Sequence, residues 1–114
     1  MRPEDQVRIK HMVEAAGDAA RFISGKTRAD LDTDRMLLFA LIRCIEIIGE
    51  AARRITDETR NLDADIPWSA IAGMRNRLIH AYFDVDAELV WKTVTEGLDR
   101  VRPRRLILCS AARD

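Results

Sequence analysis

The sequence predicts an all-α fold of four helices, and three observations carry that prediction. Aromatic residues make up only 5% of the 114-residue chain, whereas sandwich and barrel strands are rich in them. Glycine and proline number five and three, too few for the turns of a many-stranded domain. Apolar residues recur at three- and four-residue spacing through most of the chain, the period of a helix with one buried face. A length of 114 residues with 47% hydrophobic content describes one compact domain with a modest core, which self-association would help to complete.

The first helix is expected from about Glu4 to Ser24, on the stripe Val7, Ile9, Met12, Val13, Ala16, Ala20 and Ile23. Pro3 suits its first turn, and Gly25 suits the left-handed residue beyond its end. Residues 25–32 are polar and read as a loop. A second, long helix follows from Thr33 or Asp34 to Ile55, with either residue able to cap its start and Asp34 complementing the positive helix end. Its broad apolar face runs through Leu37, Leu38, Leu41, Cys44, Ile45, Ile48, Ala52 and Ile55. Gly49 stands inside it at a cost of about 1 kcal/mol against alanine, which marks a place where another backbone approaches closely.

Residues 56–66 form an acidic connection. Pro67 then opens a third helix with the buried stripe Trp68, Ile71, Met74 and Leu78, ending or bending near His80 to Tyr82. Asp86 is a candidate cap for a fourth helix from about Ala87 to Val101, and Pro103 argues for a break beyond it. The domain spans residues 1–102, followed by a basic tail, 103–114. No internal repeat or second domain is evident.

Nineteen basic residues balance nineteen acidic ones. A neutral chain lacks the global field of a nonspecific nucleic-acid binder, so any RNA contact must come from a local concentration of arginine. Cys44 and Cys109 have no metal or redox spacing, and Cys44 falls in a helical stripe where a buried, reduced thiol is expected. The polar, charged opening residues are unlike a signal peptide, and the apolar runs are too short to span a bilayer. A cytoplasmic protein without membrane contact is expected.

Residues 75–82, Arg-Asn-Arg-Leu-Ile-His-Ala-Tyr, carry the chemistry. Arginine keeps its charge at physiological pH and grips phosphate with a planar fork, while histidine exchanges protons near neutrality. Together they suit cleavage of a phosphodiester without a metal or other cofactor: one group moves protons and the other absorbs charge at phosphorus. On an ideal helix Asn76 and His80 share a face. Arg75 lies about 140° around the axis from His80, so the two converge only if the helix ends there or the long arginine arm reaches round. Arg77 faces away from His80, toward solvent or a partner. Tyr82, beyond the expected helix end, would bring its hydroxyl to the same cleft. Taken alone, the same residues also fit the charged face of an amphipathic helix with His80 near its end. His11 has no chemical surroundings, and Glu46 and Glu50 could form a paired-carboxylate site but offer no complete metal-ligand set. Glu50 with Arg54 is an ordinary i,i+4 ion pair.

The octet resembles the R-x4-H-x-Y signature of HEPN-domain ribonuclease toxins of the HepT type. The segments Ile47-Ile48-Gly49-Glu50-Ala51-Ala52, Ile66-Pro67-Trp68, Gly73-Met74-Arg75-Asn76 and Tyr82-Phe83-Asp84-Val85-Asp86 are similar to that family's, so the resemblance covers about residues 5–101. It implies an up-and-down four-helix bundle that forms a homodimer and cleaves RNA without metal as the toxin of a type VII-like toxin–antitoxin system. It implies Arg75 and His80 as the catalytic pair, with Asn76 and Tyr82 in support. The partner it implies is an MntA-like nucleotidyltransferase antitoxin that transfers AMP onto Tyr82.

Dimerisation also has a chemical motive. Attack by a ribose 2′-hydroxyl needs a base at the nucleophile and an acid at the leaving oxygen, and one protomer offers one suitable histidine. A two-fold axis near the site would supply a second His80 and Arg75. From Arg100 to Asp114 five arginines face one aspartate, a net of +4. Arg102, Arg104 and Arg105, with Arg77, are therefore candidate RNA contacts, although a solvated tail is the simpler reading of the segment. The competing function is a noncatalytic helical partner, or nucleotide-binding subunit, of a nucleotidyltransferase complex, with the octet serving as a phosphate patch.

Overall fold

The computed structural model describes residues 1–81 and 84–98, with residues 79–81 and 84 described by backbone alone. Helix α1 (Pro3–Phe22) has its proline in the first turn, where the missing N–H was unpaired in any case. Beyond it Gly25 takes φ +75°, the left-handed conformation that glycine adopts without a Cβ clash. The expected loop at 25–32 contains a single-turn helix, α2 (Asp30–Thr33), which buries Leu31. Helix α3 (Arg35–Arg54) starts at Asp34, whose side chain accepts from the Leu37 N–H at 3.0 Å. The two candidate caps are thereby resolved in favour of Asp34.

The acidic connection is also more ordered than its composition suggested. It forms α4 (Asp57–Arg60), capped by Thr56, and a 3-10 turn over Asn61–Asp63. The indole N–H of Trp68 ties this connection down by donating to the carbonyls of Arg60 and Asp63, each at 3.2 Å.

The third helix departs from expectation. Instead of one rod there are two short pieces, α5 (Trp68–Ala72) and α6 (Met74–Leu78), jointed at Gly73. Pro67 precedes α5 as its cap rather than lying within its first turn. A two-stranded antiparallel ladder then follows, β1 (Ile79–Ala81) with β2 (Asp84–Val85), paired Ile79 to Val85 and Ala81 to Asp84 with a register irregularity between. The Asp86 N–H donates to the Leu78 carbonyl at 2.9 Å, so the last carbonyl of α6 is satisfied by the returning chain rather than by another helical turn. Asp86 caps α7 (Ala87–Thr95) as expected, accepting from the Leu89 N–H at 3.0 Å. The regular helix stops at Thr95, short of the expected Val101, with the Thr95 hydroxyl donating back to the Trp91 carbonyl at 2.8 Å in competition with the helical ladder. Residues 99–101 and the basic tail lie outside the described residues.

Helix directions follow from the cross-chain contacts. Arg8 near the start of α1 donates to the carbonyl of Arg54 at the end of α3 at 2.9 Å, so these helices are antiparallel. Gly49 abuts the carbonyls of Ile71 and Ala72 while Glu46, about one turn earlier, reaches Arg75, so α5–α6 runs against α3. Ala16 and Ile23 share a cleft with Val94 and Leu98, whereas Arg28 beyond α1 meets Glu88 at 3.2 Å, so α7 runs against α1. The result is an all-α bundle in up-and-down order, the small ladder lying between α6 and α7.

The core joins every helix of the bundle, through Ile9 and Met12, Leu41, Ile45 and Ile48, Trp68 and Ile71, Leu78, and Val90. Each fully buried aliphatic side chain contributes roughly 1.5–3 kcal/mol. Val7 is the exception in the expected stripe of α1, being 52% exposed. Cys44 is a free, buried thiol, and burial pushes its pKa up. Among the described residues no helix is long and apolar enough to cross a membrane.

One polar group lies inside. Asp5 is fully buried and accepts from the hydroxyls of Thr56 and Thr59, both at 2.6 Å, and from the Thr56 N–H at 3.4 Å, with Arg8 Nη1 at 3.3 Å. Burial acts to raise the carboxyl pKa, but the hydrogen bonds from Thr56, Thr59 and Arg8 outweigh it and hold the group below its ordinary value. This knot ties the start of α1 to the chain leaving α3.

Candidate active site

The site is built on the facing surfaces of α3 and α5–α6. Gly49 lets the two backbones close: a Cβ there would sit 3.4 Å from the carbonyl oxygens of both Ile71 and Ala72. This meets the expectation of a close approach at Gly49. It seats α5 against a helix whose Ile45 and Ile48 are wholly buried, and α6, directly beyond Gly73, carries Arg75, Asn76 and Arg77 into solvent while Met74 and Leu78 hold its inner face.

Arg75 meets Glu46 of α3, its Nε donating to Glu46 Oε2 at 2.8 Å. The side chains are 48% and 29% exposed, so the pair stands at a surface and not in the core. Among the described residues no protein group engages the terminal Nη1–Nη2 edge of Arg75. A small cleft of about 160 Å³ adjoins the pair and is lined by Arg43, Glu46, Gly49, Glu50, Arg53, Ala72 and Arg75. Three guanidinium groups against two carboxylates leave this cleft with an excess of one positive charge within a neutral protein, Arg75 being paired with Glu46 and Arg53 with Glu50.

Arg77 is exposed, yet its Nη2 donates to the Ala70 carbonyl at 2.9 Å. It therefore holds the α5–α6 joint as well as facing solvent. Asn76 is exposed on the same short helix. His80 is described by its backbone, in β1, two residues past the end of α6. The premise that Asn76 and His80 share one continuous helix is thereby corrected: the hairpin takes over at Ile79. The helix ends before His80, which is one of the two conditions the sequence set for Arg75 and His80 to converge. Tyr82, Arg102, Arg104 and Arg105 lie outside the described residues.

Arg43 and Arg53 were not singled out for function from the sequence, and Glu46 stood out only as a possible paired carboxylate with Glu50. Glu46 is 29 residues from Arg75, and no local spacing rule links them. The ion pair that spacing did foresee, Glu50 with Arg54, is present at 3.1 Å, with Arg53 beside it at 3.9 Å. Among the described residues, no three His, Cys, Asp or Glu side chains gather as a metal-binding group. A larger cleft of about 700 Å³ lies between α1 and α3 and includes His11. Its charged rim is mixed, with Glu4, Glu14, Asp18 and Glu50 against Arg8, Arg43 and Arg54, which gives it no cationic bias for a phosphate chain.

Residues 12–104 match the family described as Ribonuclease HepT-like. The chain belongs to this family. A "Probable ribonuclease HepT" of Thermococcus cleftensis is 40% identical over 97 residues, covering 82% of this chain and 88% of that protein. A "Putative RNase" of Methanocaldococcus jannaschii is 36% identical over 91 residues, covering 80% and 84%. Another "Putative RNase", from Caldanaerobacter subterraneus, is 35% identical over 90 residues, covering 79% and 80%. No solved structure matches the chain. The family match spans nearly the whole bundle, in agreement with the extent of the resemblance.

Proposed function

We propose that this protein is a metal-independent endoribonuclease and the toxin of a two-component toxin–antitoxin system, acting as a homodimer. The observation that carries the reading is the half-exposed Arg75 of the R-x4-H-x-Y signature, at the edge of a cationic cleft with its terminal guanidinium edge open. In the proposed reaction a His80 imidazole removes the proton of a ribose 2′-hydroxyl and the 2′-oxygen attacks the adjacent phosphorus. The 5′-oxygen leaves, taking a proton from the second His80 of the dimer. Arg75 binds the equatorial oxygens as charge accumulates on them. The products are a 2′,3′-cyclic phosphate and a 5′-hydroxyl.

Neutralisation follows from the same chemistry. An MntA-like nucleotidyltransferase would direct the Tyr82 phenol oxygen at the α-phosphorus of ATP, joining AMP to the tyrosine and releasing pyrophosphate. The added phosphate would compete for Arg75, filling the site with a substrate-like group. Asn76 would help to orient the phosphate, and Arg77 and the tail arginines Arg102, Arg104 and Arg105 would extend the backbone contact.

The test is cleavage of a defined RNA by the wild-type protein, Arg75→Ala and His80→Ala, with chelator present throughout. Wild-type activity ending in cyclic phosphate, with both variants inactive, is the expected result. Equal cleavage by wild type and His80→Ala would sink it, and a dimer that binds the transferase but never cuts would favour the noncatalytic partner. Mass spectrometry after incubation with the cognate transferase and ATP should find one AMP on Tyr82.

A further inference from the structure

Glu46 touches Arg75 from a different helix, and this contact assigns it a role. We propose that Glu46 is a positioning residue for Arg75: its carboxylate takes the Nε–H and turns the Nη1–Nη2 edge toward the phosphate. This rests on the reading of Arg75 as the phosphate-binding arginine. An arginine has a long arm with many rotamers, and fixing it before substrate arrives removes an ordering cost from the reaction. The 2.8 Å bond is charge-assisted and uses Nε alone. It leaves intact the two-nitrogen fork that matches a pair of phosphate oxygens.

The anchor is itself rigid. Glu46 follows Ile45 and precedes Ile48 by two residues on α3, both 0% exposed, and Gly49 one turn on admits the α5 backbone. The distance between the α3 surface and α6 is therefore set by core packing. A purely structural role explains the pair poorly, because ion pairs this exposed add little to stability. Charge also fits: with Arg43, Arg53 and Arg75 against Glu46 and Glu50 the cleft keeps an excess of one positive charge, so the Glu46 carboxylate at Arg75 does not make it anionic.

The opposite reading of the contact is that Glu46 competes with RNA for Arg75, and the test separates the two. Cleavage kinetics of the full chain are compared for wild type, Glu46→Gln, Glu46→Ala, Arg75→Ala and the double variant Glu46→Ala/Arg75→Ala. Positioning predicts that Glu46→Ala lowers kcat about 10- to 100-fold with KM nearly unchanged. Glu46→Gln, which keeps an acceptor for Nε–H, should lose clearly less. In the Arg75→Ala background removal of Glu46 should cost nothing further. Faster cleavage by Glu46→Ala, or an equal further loss in the Arg75→Ala background, overturns the proposal. Should Arg75→Ala itself cut like wild type, the active-site reading fails instead, whatever Glu46 does. A readout independent of cleavage is the Arg75 Nε–H resonance, assigned by its disappearance in Arg75→Ala. It should be protected from exchange in wild type and unprotected in Glu46→Ala, and unchanged protection refutes the contact outright.

Discussion

Two carboxylates tie distant parts of this chain together, and they do so in opposite ways. Asp5 is fully buried and surrounded by donors from Thr56, Thr59 and Arg8. Glu46 is 29% exposed and makes one bond to an arginine that is itself half open. A buried carboxylate must have its lone pairs satisfied, since removing a partner leaves the desolvation cost uncovered. A half-exposed one is free of that demand and can hold a partner while leaving the partner's other donors available. The Asp5 knot serves the fold, and the Glu46 pair leaves the remaining donors of Arg75 at a surface.

The comparison can be broken first by activity. Arg75→Ala and His80→Ala should each reduce RNA cleavage about 10²- to 10⁴-fold while the melting temperature stays close to wild type. A large fall in stability from Arg75→Ala would put that residue with Asp5 and erase the distinction.

Asp5→Asn gives the mirror result, stability lost without direct damage to the site. Denaturant unfolding at neutral pH should show a loss of about 1–3 kcal/mol. The pH dependence has a definite sign. The folded carboxyl pKa is depressed below its ordinary 3.8, so the folded state favours the ionised form. The stability it contributes is present above that ordinary value and is lost as pH falls through it toward the folded pKa. The gap between wild type and Asp5→Asn should therefore be widest near neutrality and shrink below about pH 4. A gap that widens on acidification would contradict the assigned hydrogen bonds.

Gly49 links the two regions, because it lets the α5 backbone approach α3. Gly49→Val should destabilise by about 1–3 kcal/mol through overpacking and also lower kcat, since its extra carbons would push α5, and with it Arg75, away from Glu46. Gly49→Ala brings a Cβ only to 3.4 Å from two carbonyl oxygens, and a helix-propensity gain of about 1 kcal/mol offsets that contact. Equal effects of the two substitutions on unfolding would argue against close backbone approach. The smallest effect belongs to Glu50→Ala, which removes the Arg54 pair at an exposed surface. Its unfolding free energy should change by no more than about 1 kcal/mol.

Much of the fold was legible in the residues. Pro3, Asp34 and Asp86 mark helix starts by rules that act within one turn and stand where those rules place them, while Gly25 takes the left-handed conformation two residues past the Ile23 cap, the helix having ended earlier than its stripe suggested. The stripe of α3 and the close approach at Gly49 were equally readable. The break at Gly73 was not, because Trp68, Ile71, Met74 and Leu78 keep helical spacing across it and bury one face in either case. Of the candidate site, the exposure of Arg75, Asn76 and Arg77 on one short segment was legible. Arg77 was read only as an outward cation, since its bond to the Ala70 carbonyl depends on the same unseen joint.

Local patterning settled which segments coil, where they begin and which faces turn inward. Capping and periodicity are interactions among residues about four apart, so a linear reading contains them. Packing decided what the polar groups do. Asp5 meets Thr56 across 51 residues and Arg75 meets Glu46 across 29, separations at which no spacing rule operates. Those partners are chosen by the distance and direction of helix axes, which the buried aliphatic contacts and the missing side chain of Gly49 establish only once the bundle has formed.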